Sequence, residues 1–361
     1  MAMLLQEQIE KAAQQFLDAR VPLIRPLGQG LIHQSYRVTD PATGRSIVLQ
    51  AINTAVFKQP DNILYNYALL FQYLSEKKTP VQIPAPVKTR SGNLGWRDEE
   101  RHFWRATTFM EESYAPDTVN DPVSAKTVAR CFASLTRSLD GLDPGRLRVI
   151  IPDFHNLTFR YAQLEASITA ASMERLLKST HVISELRERK YLLNFYESLA
   201  GHPDYPDRVM HHDCKISNIL FHTGSGRPVC PVDLDTMMPG KFFSDLGDMI
   251  RSMAASVEEN SQQWEDIDIR PDFYRAILEG YLEEMGGLFT KKEKTNIHYA
   301  GLLMIYMQAL RFLADFLGND VYYKTSYPEQ NLHRALNQLL LLEKLEAFLS
   351  QAYSFDTTGA V

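Results

Sequence analysis

The chain has 361 residues, of which 45% are hydrophobic and 23% are charged, values that suit a folded protein of two domains or lobes. Its 38 basic and 44 acidic residues give a formal net charge of −6 and are spread along the sequence. Because nucleic-acid binding calls for a clustered basic face, the charge gives no support for a nucleic-acid partner.

Cysteine usage and hydropathy indicate the compartment. Cys131, Cys214 and Cys230 lie far apart with no metal-ligand spacing, which favours a reducing, cytoplasmic setting. The N-terminal segment has no basic region or long apolar core, so it does not resemble a signal peptide. No apolar run approaches the span of about 18 residues that a membrane helix needs, so we expect a soluble protein with no membrane partner.

The order of predicted elements indicates an α+β protein. Apolar spacing predicts a helix over 4–19, and residues 22–53 predict three antiparallel strands joined by Gly-rich and Pro/Gly turns. A helix over 62–77 follows, with Asp61 as its candidate cap, and residues 80–110 return to strands. Beyond residue 121 the pattern is mostly helical, with predicted helices near 123–139, 157–177, 180–200, 244–256, 271–285, 291–317 and 329–352.

This order predicts a bilobal protein-kinase-like fold, with a β-rich N-lobe and a mostly helical C-lobe. We expect an N-terminal helix at 1–20, a nucleotide-binding lobe of five strands and one helix at 21–110, and the C-lobe at 111–361. A strand-rich insert at 218–234 interrupts the helices and carries the catalytic hairpin. The active site is expected in the cleft between the lobes.

Residues 211–218, His-His-Asp-Cys-Lys-Ile-Ser-Asn, fit the kinase catalytic-loop pattern, with His212 in place of the usual arginine. In this pattern Asp213 orients a substrate hydroxyl and accepts its proton. Lys215 contacts the γ-phosphate as a mobile charge, and Asn218 binds a metal ion. The spacing therefore predicts phosphoryl transfer.

Two further carboxylates follow the short apolar strand at 228–232. Asp233 ends that strand and is predicted to bind the Mg²⁺ that bridges the phosphates of ATP. Asp235 lies two residues on, on the same side of an extended strand, where it either assists the metal or caps the turn before Ser244.

The glycine loop, Leu27-Gly28-Gln-Gly30, is followed by the strand that contains His33 and Ser35. It fits a β-hairpin over phosphates because small residues let main-chain N–H groups approach a nucleotide. We assign Gly28, Gly30 and Ser35 to the nucleotide and His33 to the substrate side. A plain tight turn is the alternative.

With these residues assembled, the chain resembles the aminoglycoside phosphotransferase/choline kinase superfamily of small-molecule kinases, and most of all the anomeric N-acetylhexosamine 1-kinases. The resemblance runs almost end to end. Its segments are Gly28-Gln-Gly30-Leu-Ile32, Val48-Leu-Gln-Ala-Ile-Asn53, Val56-Phe-Lys-Gln-Pro60, Trp104-Arg-Ala-Thr-Thr-Phe-Met-Glu-Glu-Ser113, Asp213-Cys-Lys-Ile-Ser-Asn218, Val232-Asp-Leu-Asp-Thr-Met-Met-Pro-Gly240, Asp245-Leu-Gly-Asp248 and Arg311-Phe-Leu-Ala-Asp-Phe-Leu-Gly-Asn-Asp-Val-Tyr322.

The resemblance implies transfer of the ATP γ-phosphate, with Mg²⁺, to the C1 hydroxyl of N-acetylglucosamine, N-acetylgalactosamine or a related sugar. It also implies that Phe109, Met110 and Glu111 hold adenine through their main chain, and that Arg311 and Tyr322 contact the sugar. From the residues alone, Arg311 lies in a mostly apolar helix and therefore needs a partner. The sugar is one candidate for that partner, and Asp315, four residues further along the helix, is the other.

One departure from the kinase pattern concerns the third strand. Gln50 stands at the nucleotide-binding position where kinases carry a lysine, and the following helix offers Asn66 but no glutamate. Either Lys58 or Lys215 compensates, or the metal neutralises most of the phosphate charge. Two alternatives stay open: a kinase for an aminoglycoside, choline, homoserine or another small hydroxyl compound, and a non-catalytic nucleotide-binding module. The oligomeric state is also open.

Overall fold

The computed structural model describes residues 4–19, 21–28 and 33–356. The chain divides into two compact units. The N-terminal unit contains residues 1–115, 141–152 and 220–238, and the helical unit contains residues 116–140, 153–219 and 239–361. The chain therefore returns twice to the N-terminal unit after it has first entered the helical one.

Both units are built from short strands and helices of ordinary length. The strands, in chain order, are β1 (Leu23–Pro26), β2 (Gln34–Thr39), β3 (Ser46–Ile52), β4 (Pro86–Val87), β5 (Gly95–Arg97), β6 (Phe103–Thr108), β7 (Ser113–Tyr114), β8 (Arg208–Met210), β9 (Ile219–His222), β10 (Pro228–Pro231) and β11 (Met238–Gly240). The helices are α1 (Gln6–Phe16), α2 (Pro60–Lys77), α3 (Pro122–Ser138), α4 (Leu157–Ala170), α5 (Met173–Glu188), α6 (Tyr191–Ser198), α7 (Phe243–Met249), α8 (Pro271–Met285), α9 (Lys291–Thr295), α10 (Tyr299–Leu317) and α11 (Gln330–Tyr353).

The main sheet of the N-terminal unit is antiparallel and has the order β1-β2-β3-β6-β4, with β5 also paired to β6, while β10, β9 and β7 form a second sheet. The main sheet has six strands and not the predicted five, because residues 80–110 form three short strands. The register of β3 and β6 places Gln50 directly opposite Arg105. The side chains of Gln50 and Arg105 are therefore neighbours on the same face of the sheet.

Side chains along β3 point alternately to the two faces of the main sheet, and one of these faces is apolar. Ile47, Leu49 and Ala51 are almost fully buried and join one hydrophobic core. The apolar side of α1 completes that core, with Ile9, Ala12, Ala13 and Phe16 buried against the sheet. Helix α2 begins at Pro60, so Asp61 lies in its first turn and is not the cap that the sequence predicted.

The helical unit is organised around α10, which packs against α4, α7 and α11. This helix is long and apolar enough to cross a membrane by length and composition, so the expectation that no segment reaches that length is wrong. However, 83% of its most apolar window is buried inside the protein. It is the core helix of its unit.

Several predicted helices are divided in the structure. The segments predicted at 157–177 and 180–200 form α4, α5 and α6, because Ser172 caps a new helix by accepting a hydrogen bond from the N–H of Arg175. The segment predicted at 291–317 forms α9 and α10. The α+β class, with a β-rich N-terminal region followed by helices, is confirmed.

Candidate active site

The predicted base, lysine and amide lie together in the loop that follows β8. Asp213 Oδ2 accepts hydrogen bonds from Lys215 Nζ at 2.9 Å and from Asn218 Nδ2 at 2.9 Å. A short 3-10 turn over Ile216–Asn218 brings the amide back to the carboxylate. The spacing of two and five residues thus produces one cluster of an acid, a cation and an amide.

The surroundings of Asp213 favour its ionised form. Burial disfavours the charged carboxyl, but Lys215, His211 and Asn218 outweigh burial and hold the pKa of Asp213 below its ordinary value. The Asp213 side chain is 29% exposed and that of Lys215 is 45% exposed, so solvent reaches the pair. A general base must be unprotonated and accessible, and this carboxylate is both.

Two buried aspartates of α7 hold the main chain of this loop. Asp245 accepts hydrogen bonds from the N–H groups of His211 at 3.0 Å and His212 at 2.8 Å. Asp248 accepts one from the N–H of Cys214 at 2.7 Å. These two acids therefore brace the catalytic loop, and neither caps its own helix, which begins without a side-chain cap.

The donor set of Asn218 suits a hard divalent cation. Its Nδ2 donates to Oδ2 and to the main-chain oxygen of Asp213, both at 2.9 Å. No donor within the described residues reaches its Oδ1, although the side chain is only 4% exposed. An amide oxygen turned away from protein donors is a ligand type that Mg²⁺ accepts.

Asp233 and Asp235 have opposite environments in the N-terminal unit. Asp233 is exposed and has a left-handed conformation, with φ of 58°. Asp235 follows in a 3-10 turn, Leu234–Thr236, and is 1% exposed, so it does not lie on an extended strand beside Asp233 as predicted. The exposed Asp233 is the carboxylate of the two that a metal ion can reach from solvent.

Both carboxylate oxygens of Asp235 already have protein partners. Arg105 donates from Nη1 to Oδ1 and from Nη2 to Oδ2, and His33 Nε2 lies 2.8 Å from Oδ2. Burial disfavours the charged form of Asp235, but Arg105 and His33 outweigh the effect of burial and hold the pKa of Asp235 well below its ordinary value. These contacts argue against Asp235 as a metal ligand.

The same network engages Gln50 and Ser35. Gln50 Oε1 accepts a hydrogen bond from Arg105 Nε at 2.9 Å, and Gln50 Nε2 donates to Ser35 Oγ at 3.0 Å. The second ring nitrogen of His33 accepts from the N–H of Asn53 at 3.0 Å. Four residues predicted separately for metal, substrate and nucleotide therefore form one network centred on Arg105, and their predicted roles stay untested.

The remaining nucleotide-side predictions lie in two places. Gly28 has the left-handed conformation that a tight turn requires, with φ of 68°, and Gly30 lies outside the described residues. Phe109 and Glu111 lie in the segment after β6, and both contact Arg37. The guanidinium carbon of Arg37 lies 4.1 Å from the centre of the Phe109 ring, and Arg37 pairs with Glu111 at 2.8 Å. The main-chain oxygen of Met110 accepts a hydrogen bond from Ser113 Oγ at 2.6 Å.

The structure brings Arg311 and Tyr322 together in the helical unit, surrounded by aromatic rings. The guanidinium carbon of Arg311 lies 5.9 Å from the centre of the Tyr322 ring, 5.6 Å from Tyr323 and 5.4 Å from Phe154. Its Nη1 donates to Gln308 Oε1 at 3.0 Å. We call this cluster the acceptor wall, after the sugar contact that the resemblance implies for Arg311 and Tyr322, which stays a prediction.

The suggested pairing of Arg311 with Asp315 is wrong. Asp315 accepts hydrogen bonds from the N–H groups of Tyr322 at 2.8 Å and Tyr323 at 2.9 Å, and from Asn331 Nδ2 at 2.9 Å. The carboxylate therefore holds the loop that carries Tyr322, while Arg311 points to the aromatic rings.

The sequence pattern of the phosphotransferase enzyme family matches residues 23–288 of this chain. That range is most of the chain, and it includes the loop with Asp213, Lys215 and Asn218 as well as Asp233. The chain belongs to the phosphotransferase enzyme family. As a member, it is a phosphotransferase, and the coarser part of the predicted activity is confirmed.

Solved structures share the fold of this phosphotransferase at low sequence identity. An aminopropanol kinase associated with a microcompartment has a TM-score of 0.61 and 14% identity, and the match covers 96% of this chain and 98% of the other. An aminoglycoside phosphotransferase from Alicyclobacillus acidocaldarius has the same TM-score and identity, covering 98% and 97%. A spectinomycin phosphotransferase in complex with ADP and spectinomycin has a TM-score of 0.59 and 15% identity, covering 96% and 99%. The kinase-like fold is thereby confirmed.

Sequence reasoning missed Arg105 in this phosphotransferase, and Asn66 was noted only as a departure. Asn66 is buried, and its amide bonds the main chain of Arg148 and Met237, so it joins three segments of the N-terminal unit. Arg105 is an arginine among buried residues of β6, and a charge in such a strand is a signal for a buried partner. Its partner 130 residues later was not visible from spacing.

Proposed function

We propose that this protein is an ATP- and Mg²⁺-dependent kinase that phosphorylates the anomeric C1 hydroxyl of an N-acetylhexosamine, giving the sugar 1-phosphate. The observation that carries the choice of acceptor is the charge of the acceptor wall, which holds Arg311 and Arg160 among aromatic rings. We place this activity in the cytoplasm, where ATP is available and where three free cysteines remain reduced.

The two arginines lack ion-pair partners within the described residues, in contrast to the buried Arg105. Arg160 donates to the main-chain oxygen of Phe154 at 3.3 Å and to Gln163 at 3.1 Å. Burial and the nearby charge of Arg311 lower the pKa of Arg160 to about 10. This wall repels an ammonium group, whereas the hydroxyls and acyl oxygen of an N-acetylhexosamine accept hydrogen bonds from guanidinium groups.

The aromatic members of the wall also suit a sugar. Tyr322 is 60% exposed and lies beside Tyr323, and Phe154 lies 5.4 Å from the guanidinium carbon of Arg311, so ring faces and a phenolic hydroxyl are available near Arg311. Such faces cover the apolar side of a pyranose ring while polar groups bond its hydroxyls.

In the proposed reaction, Asp213 accepts the proton of the C1 hydroxyl while the hydroxyl oxygen attacks the γ-phosphorus of ATP. The bond from that phosphorus to the bridging oxygen breaks, and ADP leaves. Lys215 stabilises negative charge on the transferred group, and Asn218 with Asp233 would hold Mg²⁺. When bound, the metal ion supplies charge neutralisation for the phosphates.

The structural relatives support amino compounds as a second class of acceptor. The aminopropanol kinase and spectinomycin phosphotransferase are named for amino compounds, so a small amino alcohol or aminoglycoside remains the alternative. Gln50 at the lysine position favours a third candidate, a non-catalytic nucleotide-binding module. The intact cluster of Asp213, Lys215 and Asn218 opposes that candidate.

The proposal is tested by measuring ADP release with ATP and Mg²⁺ across free hexoses, N-acetylhexosamines, choline, homoserine and aminoglycosides. We expect turnover with N-acetylhexosamines, and none when Mg²⁺ is removed by EDTA. Turnover confined to the amino compounds would replace the sugar with the alternative acceptor. Tight ATP binding without turnover of any acceptor would support the non-catalytic candidate.

A further inference from the structure

His155 lies between the acceptor wall and the catalytic loop in the helical unit. Its ring is stacked on Phe154, with centres 4.6 Å apart and planes 13° from parallel. Its Nδ1 lies 3.1 Å from Nδ1 of His212, and the two rings meet edge to face at 4.8 Å. A continuous set of contacts therefore runs from Arg311 through Phe154 and His155 to the residue before Asp213.

His212 is held in an unusual backbone conformation. Its φ is 66°, in the left-handed region that non-glycine residues seldom adopt. The N–H of His212 donates to Asp245, and a Cβ added at Gly240 would lie 2.5 Å from its Cε1, so its ring is tightly enclosed. The hydrogen bond to His155 supplies a further side-chain constraint on this residue.

We propose that His155 is a positioning residue that couples the acceptor wall to the base Asp213 by holding the ring of His212. One ring donates through its protonated Nδ1 and the other accepts through its bare Nδ1, so the bond fixes a complementary pair of tautomers. An acceptor seated against Phe154 then stabilises the same stack that holds the loop. The inference rests on the proposed function for the identity of that acceptor.

The coupling explains why the loop tolerates histidine where kinases carry arginine. An arginine at position 212 would add a charge next to His155, which already lies near Arg160 and Arg311, whereas a neutral imidazole adds none. Burial, together with His212 and Arg311, holds the pKa of His155 well below its ordinary value, so this ring stays neutral as the pair requires.

Two amide substitutions test the proposal on the full-length protein. His155→Asn keeps a polar atom near the position of Nδ1, whereas His155→Gln moves it toward the position of Nε2, away from His212. We expect His155→Gln to lower kcat by about 10²-fold, the size of effect that misplacement of a catalytic group produces. His155→Asn should retain most of kcat, and KM for ATP should change little in both. Tyr196→Phe is the matched control, since Tyr196 donates to the main-chain oxygen of His155 and not to its ring, so that variant should match wild type.

Amide hydrogen exchange of residues 211–215 gives a readout that needs no acceptor. We expect faster exchange in His155→Gln than in His155→Asn or wild type, because the loop loses a constraint. Equal kcat and equal exchange in the two amide variants would overturn the proposal. Absence of sugar turnover in wild type, with exchange still faster in His155→Gln, would reject the proposed acceptor while keeping the positioning role.

Discussion

At the scale of single residues, the chemistry of the site is concentrated on one carboxylate oxygen. Oδ2 of Asp213 accepts hydrogen bonds from both Lys215 and Asn218, and the three residues span one short turn. The lysine thus stabilises the ionised base in the absence of ATP. When ATP is bound, we expect the same Nζ to contact its phosphates instead.

Asp213→Asn should abolish phosphoryl transfer while leaving nucleotide binding nearly intact. Asparagine keeps the shape of the side chain but cannot take the hydroxyl proton, so we expect kcat to fall by about 10²- to 10⁴-fold. ADP release measures kcat, and calorimetric titration with ATP measures binding. Full activity of this variant would show that Asp213 is not the base.

Lys215→Met should weaken catalysis and move its pH dependence. Loss of the cation removes the charge that lowers the pKa of Asp213, so that pKa rises and the acid limb of the kcat profile moves to higher pH. We also expect kcat to fall by about 10²-fold, because the transferred phosphate loses a stabilising cation. Lys178→Met, which removes an exterior lysine paired with Glu174 and Glu329, is the control and should leave the profile unchanged.

The catalytic loop was the part of the site that sequence could predict, because its contacts are local. Asp213, Lys215 and Asn218 are two and five residues apart, and the acids at 245 and 248 lie on the next helix. The roles given to His33, Gln50 and Asp235 were weaker predictions for a physical reason. Each of these residue types can bind a ligand. In this structure, however, Gln50 and Asp235 are hydrogen-bonded to Arg105, and His33 is hydrogen-bonded to Asp235. Because these partners lie far apart in the sequence, no residue spacing indicates that they pair.

At the scale of elements, the buried pair of Arg105 and Asp235 joins β6 to the turn that follows β10. Both side chains are nearly inaccessible, at 5% and 2% exposure. The pair ties the segment of Asp233 to the main sheet, with Gln50 and His33 completing the network. We infer that it fixes the turn of Asp233, so its role is structural rather than metal binding.

Asp235→Asn should therefore destabilise the fold. Removing one charge leaves Arg105 buried without its counter-ion, and such changes reduce the free energy of unfolding by about 3–5 kcal/mol. Urea unfolding measures this value. An exposed Arg–Asp pair of the same unit gives the control: Arg90→Met, which removes the partner of Asp18, should leave the stability close to that of wild type.

The pH dependence of this stabilisation has a defined sign. The pKa of Asp235 is depressed in the folded state, so its contribution is fully present above the unfolded pKa of about 3.9. It is lost as pH falls through the lower folded-state value. Stability that rose on acidification from pH 5 to pH 3 would contradict this assignment.

Asp233→Asn and Asp235→Asn should separate metal binding from stability. We expect Asp233→Asn to weaken Mn²⁺ binding in the presence of ADP, measured by electron paramagnetic resonance, by about tenfold or more, since a carboxylate ligand is lost. Asp235→Asn should bind Mn²⁺ nearly as wild type does while it remains folded. The reverse result would restore Asp235 as the metal ligand.

Element boundaries show where sequence patterns were sufficient. The helix predicted at 271–285 coincides with α8, and that predicted at 329–352 lies within one residue of α11. The apolar spacing of the sequence continues across Ser172 and across residues 296–298, although the chain turns at both places. Apolar spacing alone therefore predicted a continuous helix at each of them. Capping by Ser172 was the local signal that would have divided the first of these helices.

At the scale of the whole molecule, family membership and the charge of the acceptor wall support different parts of the proposed function. Membership of the phosphotransferase family gives the reaction type. We propose the acceptor from Arg160 and Arg311 beside Tyr322, because we expect this cluster to favour neutral, oxygen-rich compounds over amines. We therefore expect the phosphate to go to the anomeric oxygen of an N-acetylhexosamine.

The most direct test is to identify the product of a competition. The protein is incubated with ATP, Mg²⁺ and equal concentrations of N-acetylglucosamine, N-acetylgalactosamine, an aminoglycoside and choline, and the products are followed by phosphorus NMR coupled to proton spectra. We expect a phosphate ester coupled to the anomeric proton of an N-acetylhexosamine. An ester on the aminoglycoside, on choline or on a non-anomeric hydroxyl of the sugar would contradict it.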